Sequence, residues 1–488
     1  MASQRSTSIN EPPAPAPRQR SELGHILWMS IPVVVTNSSR ALMDVVDFTL
    51  VKFLNDPEAM AAILPAQFLV WTFIVIGFGL VAAVNTFASQ AVGRGEPREA
   101  SAFAWQSVYL AALFGLIALA LVPFLPAIVE FIGLEPGVRE RQLAYARVCF
   151  YGVAPTILFN ALGWFFIGIH RPWTTMWASL EANVVNGVVS YVLMFGSFGV
   201  CEPMGIAGAA WGTFVAVTYR SVRLTMTMMS QPIAGQFGCR ATWRPSWSRL
   251  ARLCRVGAPM SFSFLCDVAV WAIFVNVLIG RNFGTVDLIA TNAAWQYMRI
   301  AFFPIIGMGQ AVTALVGKSI GSGELNRAER EVRLTVIVTL GYIGALSVLY
   351  GGFGERMIGW FNSDAEVMRV GGRVLLCVAV FQLFDALGIV YTAALRGAGD
   401  TFWPSVFFSA ANWLFIVGGG WVMVTYFRAW GSAAPWIAAT ALFIVGSAYL
   451  WWRWRRGGWR TIDLFGRARR ETSVDEARSE AISGPASI

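Results

Sequence analysis

The sequence predicts an all-α integral membrane protein with twelve transmembrane helices, arranged as two six-helix lobes around a central cleft. Three observations support this fold class. Hydrophobic residues make up 56% of the 488 residues and charged residues only 13%, long apolar stretches recur along the chain, and the second half repeats the first. Because soluble proteins have about 25% charged residues, lipid must be the solvent for most of this chain.

Twelve apolar stretches reach the length of about 20 residues that a helix needs to cross the hydrocarbon core. They lie at residues 25–53, 58–92, 99–126, 141–168, 173–197, 205–230, 250–280, 286–317, 331–352, 367–394, 402–427 and 431–452.

A repeated motif divides these spans into two copies of one unit. Ser89–Glu96 (SQAVGRGE) ends the second span, and Gly317–Glu324 (GKSIGSGE) ends the eighth. Pro32 and Pro259 lie early in the first and seventh spans. The number of residues between them is nearly the same as the number between the two copies of the motif. The nearly constant shift indicates a duplicated six-helix unit. An even number of spans per unit makes the two copies parallel, which is a common plan for transporters.

The chain therefore divides into five segments. A polar, proline-rich leader that we expect to be disordered is followed by the N-lobe, a cytoplasmic linker, the C-lobe and a basic, then mixed-charge, cytoplasmic tail that we expect to be loosely held. Their predicted boundaries are 1–24, 25–230, 231–249, 250–452 and 453–488.

The positive charge is distributed unequally between the two ends of the spans. With the N-terminus inside, 26 Lys and Arg residues fall on inner segments and 9 on outer segments. This asymmetry follows the positive-inside rule and predicts a multi-pass protein of the plasma (inner) membrane with both termini in the cytoplasm. It also explains the net charge of +9 without a nucleic-acid partner. We expect a monomer whose partners are the bilayer and a small-molecule substrate.

Several classes of chemistry are excluded by residues that the sequence lacks. The segment Gly317–Ser319 resembles the end of a P-loop, but the glycine required five residues earlier is Val312. Only two histidines are present, His25 and His170. They are too few to make a histidine metal site or a catalytic triad a reasonable prediction. The six cysteines form no CxxC pair. We predict no enzyme activity and no cofactor, with Na⁺ or H⁺ as the coupling ion.

Ionisable residues inside the spans are the candidate functional residues, because a buried charge in a membrane is costly and usually functional. In the first span, Arg40, Asp44 and Asp47 share one helical face. Arg40 and Asp44 are spaced to form a local ion pair, whereas Asp47 is predicted to bind a cation or proton. In the C-lobe, Asp267 and Asp385 have no basic residue at helical spacing in their apolar runs.

The repeat shows that these acids do not belong to the shared scaffold. Asp385 aligns with Asn160 of the first copy, and Asp267 aligns with Arg40. We therefore predict that Asp267 and Asp385 form the ion-coupling site, a candidate Na⁺ site if the ion is a metal. Arg299 in the eighth span either recognises an anionic group or pairs with one of these acids.

The residues also carry a family resemblance over nearly all of 25–452. The matching stretches are 45–49 (VVDFT), 89–96, 186–191 (NGVVSY), 205–213 (GIAGAAWGT), 256–260 (VGAPM), 311–323 and 394–401 (ALRGAGDT). In their order and spacing they resemble the multidrug and toxic compound extrusion (MATE) transporters.

This resemblance implies a V-shaped pair of six-helix bundles that exports cationic, amphipathic compounds in exchange for Na⁺ or H⁺. It places the first-span acid of the family on Asp47, and the second-lobe acids of the NorM-like branch on Asp267 and Asp385. Some branches follow the asparagine at Asn186 with an aspartate four residues later, where this chain has Ser190. The difference favours the C-lobe as the ion site.

Two other functions remain as alternatives. A flippase of the same superfamily, moving a lipid-linked saccharide, is favoured by the intramembrane arginines but not by the acids. A membrane-embedded enzyme that modifies lipids would need a nucleophile or a histidine cluster, and the sequence offers neither.

Overall fold

The computed structural model describes residues 22–54, 56–132, 136–196, 202–361 and 363–465. Within these ranges the chain is almost entirely helical and contains no β-strand. The helices of the N-lobe are α1 Glu22–Lys52, α2 Pro57–Gly93, α3 Pro97–Leu121, α4 Leu125–Ile132, α5 Pro136–Tyr151, α6 Val153–Gly168, α7 Pro172–Phe195 and α8 Ile206–Met229.

A short helix, α9 Gln231–Phe237, lies in the linker. The helices of the C-lobe are α10 Trp247–Ile273, α11 Arg281–Phe283, α12 Thr285–Gly321, α13 Leu325–Ile358, α14 Ala365–Ala398, α15 Phe402–Ala411, α16 Gly420–Tyr426 and α17 Ala433–Arg456. Two π-helical segments, Phe274–Gly280 and Asn412–Gly419, extend α10 and join α15 to α16.

These helices occupy all twelve predicted spans. In the described ranges, nine meet the length and hydropathy expected of a membrane span, and a tenth does so if α5 and α6 are counted as one span bent by 46°. The bend falls at Gly152, which separates the two helices. The remaining two, α1 with 31 residues and α8 with 24, have the length that a span requires but are not among the ten.

The two lobes contact each other at one end, at which α2 and α12 finish; we call it the closed end. Here α2 packs on α10 and α12, and α12 also packs on α1. Thr86 donates a hydrogen bond to the carbonyl of Arg396 (2.8 Å), and Gln90 donates one to the carbonyl of Gly397 (2.9 Å). Because the last carbonyls of a helix lack intrahelical partners, side chains of one lobe complete a helix end of the other.

The tail differs in part from its prediction. Residues 458–465 are ordered, and Phe465 is buried against Phe87 and Phe103 of the N-lobe, with ring centroids 6.0 Å apart in both pairs. Arg94 lies over the Phe465 ring at 4.5 Å and forms an ion pair with Asp463 at 3.4 Å. The expectation of a loose tail is therefore wrong for these residues, because the aromatic side chain of Phe465 packs on the other lobe.

Candidate functional site

The two predicted acids of the C-lobe come from different helices and lie near each other. Asp385 sits in the middle of α14 and is buried, and Asp267 is half-buried on α10. Trp271, one turn after Asp267, and Phe381, one turn before Asp385, have ring centroids 6.1 Å apart, so the two acids lie on neighbouring parts of their helices. Among the described ion pairs, none includes either acid. Two acids without a counter-ion in an apolar interior can attract a cation or a proton.

One neutral side chain joins this pair directly. Asn412, at the start of the second π-helical segment, donates a hydrogen bond from Nδ2 to Oδ1 of Asp267 at 3.1 Å. The indole N–H of Trp271, one turn beyond Asp267 on its helix, lies near the same carboxylate. Two donors from two helices thus hold the carboxylate of Asp267 in a fixed orientation.

Sequence reasoning missed Asn412. It stands in the apolar run of residues 402–427, and a polar residue inside a span is itself the signal that could have identified it.

An aromatic cluster lies beside the acids. The ring of Trp271 is in edge contact with Trp295 at 5.1 Å and with Phe381 at 6.1 Å, and Trp436 lies 6.0 Å from Phe381. Phe381 is one turn before Asp385 on α14. Phe381 and Trp436 are buried in the core, whereas Trp271 and Trp295 are partly exposed. Because aromatic faces attract organic cations, the two partly exposed tryptophans are the members of this cluster that could contact the apolar or cationic part of a substrate.

The predicted N-lobe residues that the structure describes make contacts within their own lobe. The guanidinium of Arg40 is placed over the ring of Trp71 at 4.5 Å. The side chains of Asp44 and Asp47 lie outside the described part of the structure, so their predicted roles stay predictions. Asn160 donates to the carbonyl of Thr156 on its own helix at 2.7 Å, which satisfies its amide locally.

Asn186 contacts polar side chains, whereas Arg299 lies near an aromatic ring. Asn186 is completely buried, and its Nδ2 lies 3.3 Å from Oγ of Ser190 and 3.4 Å from Oγ1 of Thr213. The serine thus takes part in a small polar cluster between α7 and α8. Arg299 on α12 is half-buried with its guanidinium 5.8 Å from the Phe303 ring.

Across the described ranges, no group of three or more His, Cys, Asp or Glu side chains is arranged to hold a metal ion. The C-lobe site is instead a pair of acids with an amide and aromatic neighbours. Two related helical lobes with an ionisable site inside one of them are an arrangement typical of membrane transporters.

Comparison with known families identifies the group. The MatE family model matches the chain twice, at residues 32–192 and 259–421, which together make up well over half of it. The two matches begin at Pro32 and Pro259, the prolines that mark the repeat. The chain therefore belongs to the MatE family of multidrug and toxic compound extrusion transporters. It is a multi-pass membrane transporter and not an enzyme, which removes the lipid-modifying alternative.

Similar proteins extend over most of the chain. A probable multidrug resistance protein NorM of Rhizobium meliloti is 27% identical over 417 residues, covering 82% of this chain and 88% of the relative. Its namesake in Agrobacterium fabrum is 26% identical, covering 81% and 86%. A third, from Bacillus cereus, is 22% identical, covering 88% and 94%.

Solved structures share the fold. An outward-facing multidrug resistance MATE transporter superposes with a TM-score of 0.82 at 20% identity, covering 91% of this chain and 98% of the other. A MOP superfamily transporter from Pyrococcus furiosus superposes with a TM-score of 0.80 at the same identity and coverage. At this identity the likeness establishes the architecture of two six-helix lobes.

Proposed function

We propose that this protein is a secondary antiporter that expels cationic or amphipathic small molecules, as in multidrug efflux, in exchange for Na⁺ or H⁺. The observation that carries the proposal is that Asp267 and Asp385 lie on neighbouring parts of two helices inside the C-lobe, and that neither has an ion-pair partner among the described residues. The names of the relatives support the export of drug-like molecules. The aromatic cluster beside the acids supports an organic substrate with cationic or aromatic groups.

Ion and substrate are coupled through the two states of the lobes. An ion shifts the balance between states only by the difference in its affinity for each, and the substrate obeys the same rule. A cation or proton bound at Asp267 and Asp385 thus favours one arrangement of the lobes, and the substrate favours the other. Asp47 is retained as a further ion-binding residue from the family resemblance, with Asp44, Arg40, Asn186, Asn160 and Arg299 as supporting polar residues.

The orientation follows from the distribution of positive charge. With both termini in the cytoplasm of the cell and the protein in the inner membrane, the closed end faces the cytoplasm. The contact between the lobes then lies on the cytoplasmic side, and we expect the cleft predicted from the sequence to open on the opposite side. We expect a monomer to be sufficient for transport, because each copy of the chain contains both lobes.

The test is efflux of a fluorescent cationic dye from proteoliposomes under an imposed Na⁺ gradient and, separately, an imposed pH gradient. We expect Asp385→Asn to abolish efflux while the purified protein stays folded in detergent. The control is Glu366→Gln, which removes an exposed acid from the first turn of the same helix and should leave efflux unchanged. Unchanged efflux in Asp385→Asn would rule out the assignment of this acid.

The same assay addresses the flippase alternative. A protein that moves a lipid-linked saccharide would not expel the dye under either gradient. It would instead change the leaflet of a labelled lipid-linked sugar in the same vesicles.

A further inference from the structure

Asn412 combines a used donor with an unused acceptor. Its Nδ2 donates to Asp267 at 3.1 Å. Its Oδ1 is buried and has no hydrogen-bond partner among the described residues, and the whole residue is only 3% exposed. A buried acceptor without a partner destabilises a protein, so such an atom next to a pair of acids is expected to have a partner in the working protein.

The backbone at this position is unusual as well. Asn412 opens one of two π-helical segments in the described chain, and the other, Phe274–Gly280, begins seven residues after Asp267 on the adjoining helix. The two segments contact each other. Single turns of π-helix are rare and occur frequently at functional sites. Both helices that meet at Asp267 therefore have a widened turn close to the acids.

We infer that Asn412 is a third component of the ion site, which orients Asp267 through Nδ2 and offers Oδ1 as a neutral oxygen ligand to a Na⁺ ion. The inference rests on the proposed function and deepens it by naming the ion. The chemistry discriminates between the two candidate ions. Hard metal cations are bound by carboxylate and amide oxygens together, whereas a proton needs only a carboxylate. An amide oxygen at the site is thus a direct ligand for Na⁺, whereas for H⁺ it can only accept a hydrogen bond from a protonated carboxyl group.

The test compares Na⁺ binding with proton-driven transport in the same variants. Binding of radioactive ²²Na⁺ to the purified full-length protein gives the dissociation constant, and dye efflux from proteoliposomes under a pH gradient gives the proton-driven rate. We expect Asn412→Ala to raise the Na⁺ dissociation constant at least tenfold and to lower the proton-driven rate by a clearly smaller factor, because the orientation of Asp267 is lost for both ions but the oxygen ligand is lost only for Na⁺. Asn412→Ser, a second small variant with a hydroxyl oxygen, should bind Na⁺ better than Asn412→Ala.

The matched control is Asn276→Ala. Asn276 lies in the other π-helical segment, is exposed, and donates only to the carbonyl of Ala272 on its own helix. Its replacement should leave the Na⁺ dissociation constant unchanged. If Asn412→Ala proves unstable in detergent, the Asn412→Ser variant is compared with the control in the same two assays.

Three outcomes would overturn the inference. One is an unchanged Na⁺ dissociation constant in both Asn412 variants, and another is an equal loss of Na⁺ binding and proton-driven efflux, which indicates a purely structural role. The third is a parent protein that does not bind ²²Na⁺ but expels dye under a pH gradient, in which case the proposed function survives. Absence of efflux under either gradient contradicts the proposed function instead, and the binding measurement still decides the role of Asn412.

Discussion

The backbone of Gly93 packs directly against the main-chain carbonyl of Lys318 in the other lobe, so that a Cβ added to Gly93 would overlap that oxygen. The reverse contact joins Gly321 to the carbonyl of Gln90, with the same overlap. Both pairs are related by the shift of the repeat. The motif that reveals the duplication in the sequence is thus also the place where the two copies touch across their pseudo-twofold axis.

We predict that Gly93→Ala weakens the contact at the closed end. Backbone atoms cannot move aside as a flexible side chain can, and overpacking of this kind costs about 1–3 kcal/mol. The arrangement with the closed end sealed becomes less populated, and dye efflux should fall at least fivefold. Spin labels on the two lobes at the closed end would show longer distances in the variant.

The control for this change is Gly341→Ala on α13, where an added Cβ meets no atom within 4 Å. It should leave both the distances and the efflux rate unchanged. Equal effects of the two substitutions would mean that the Gly93 contact has no special role.

Asp267 and Asp385 are predicted to act as one ion site. Each of Asp267→Asn and Asp385→Asn should lower ion-driven efflux at least tenfold. The double variant should be no worse than the more severe single variant, because residues that act as a unit have strongly non-additive effects. Initial rates of dye efflux, measured for all four proteins under one gradient, provide the comparison. Losses that multiply would show two independent sites.

Phe465 is predicted to hold the two lobes together at the closed end. Phe465→Ala removes a side chain that is 8% exposed and packs on Phe87 and Phe103. Truncation of a buried phenylalanine costs about 3 kcal/mol or more, and here the loss falls on a contact between lobes. We expect a lower thermal midpoint in detergent.

Phe131→Ala is the matched control, because Phe131 is 93% exposed. Its thermal midpoint should equal that of the parent. A midpoint unchanged by Phe465→Ala would show that this side chain contributes nothing to the contact between the lobes.

The closed end is also predicted to lose stability in acid through His170. Burial, together with the nearby charges of Lys318 and His25, lowers the pKa of His170 to about 3, compared with about 6.5 in an unfolded chain. The folded state therefore keeps this histidine neutral. Its contribution is complete above pH 6.5 and is lost as the pH falls from 6.5 towards 3, because only the unfolded state takes up the proton. The slope is at most about 1.4 kcal/mol per pH unit.

His170→Asn should reduce this acid sensitivity. Asparagine does not titrate, and it tolerates the left-handed backbone that His170 adopts at φ 61°. Thermal midpoints of parent and variant, measured between pH 7.5 and 4.5, should diverge as the pH falls. Parallel curves would contradict a role for His170.

The membrane character of this chain, its twelve helices and its division into two related lobes can all be predicted from the order of its residues. These properties depend on the hydropathy of contiguous stretches and on the regular spacing of the internal repeat. Both can be read directly from the sequence. The same reasoning selected Asp267 and Asp385, because an acid in an apolar span is rare enough to be noticed without a structure.

Which polar groups contact each other depends on how the helices pack in three dimensions. Asn412 lies 145 residues from Asp267 in sequence, and nothing in the spacing of either helix predicts their contact. The pairing of Gly93 with Lys318 and the position of Phe465 on the other lobe are likewise set by how the lobes pack. Contacts between distant segments depend on shape and on the partners of buried polar atoms, which emerge only when the helices are assembled in three dimensions.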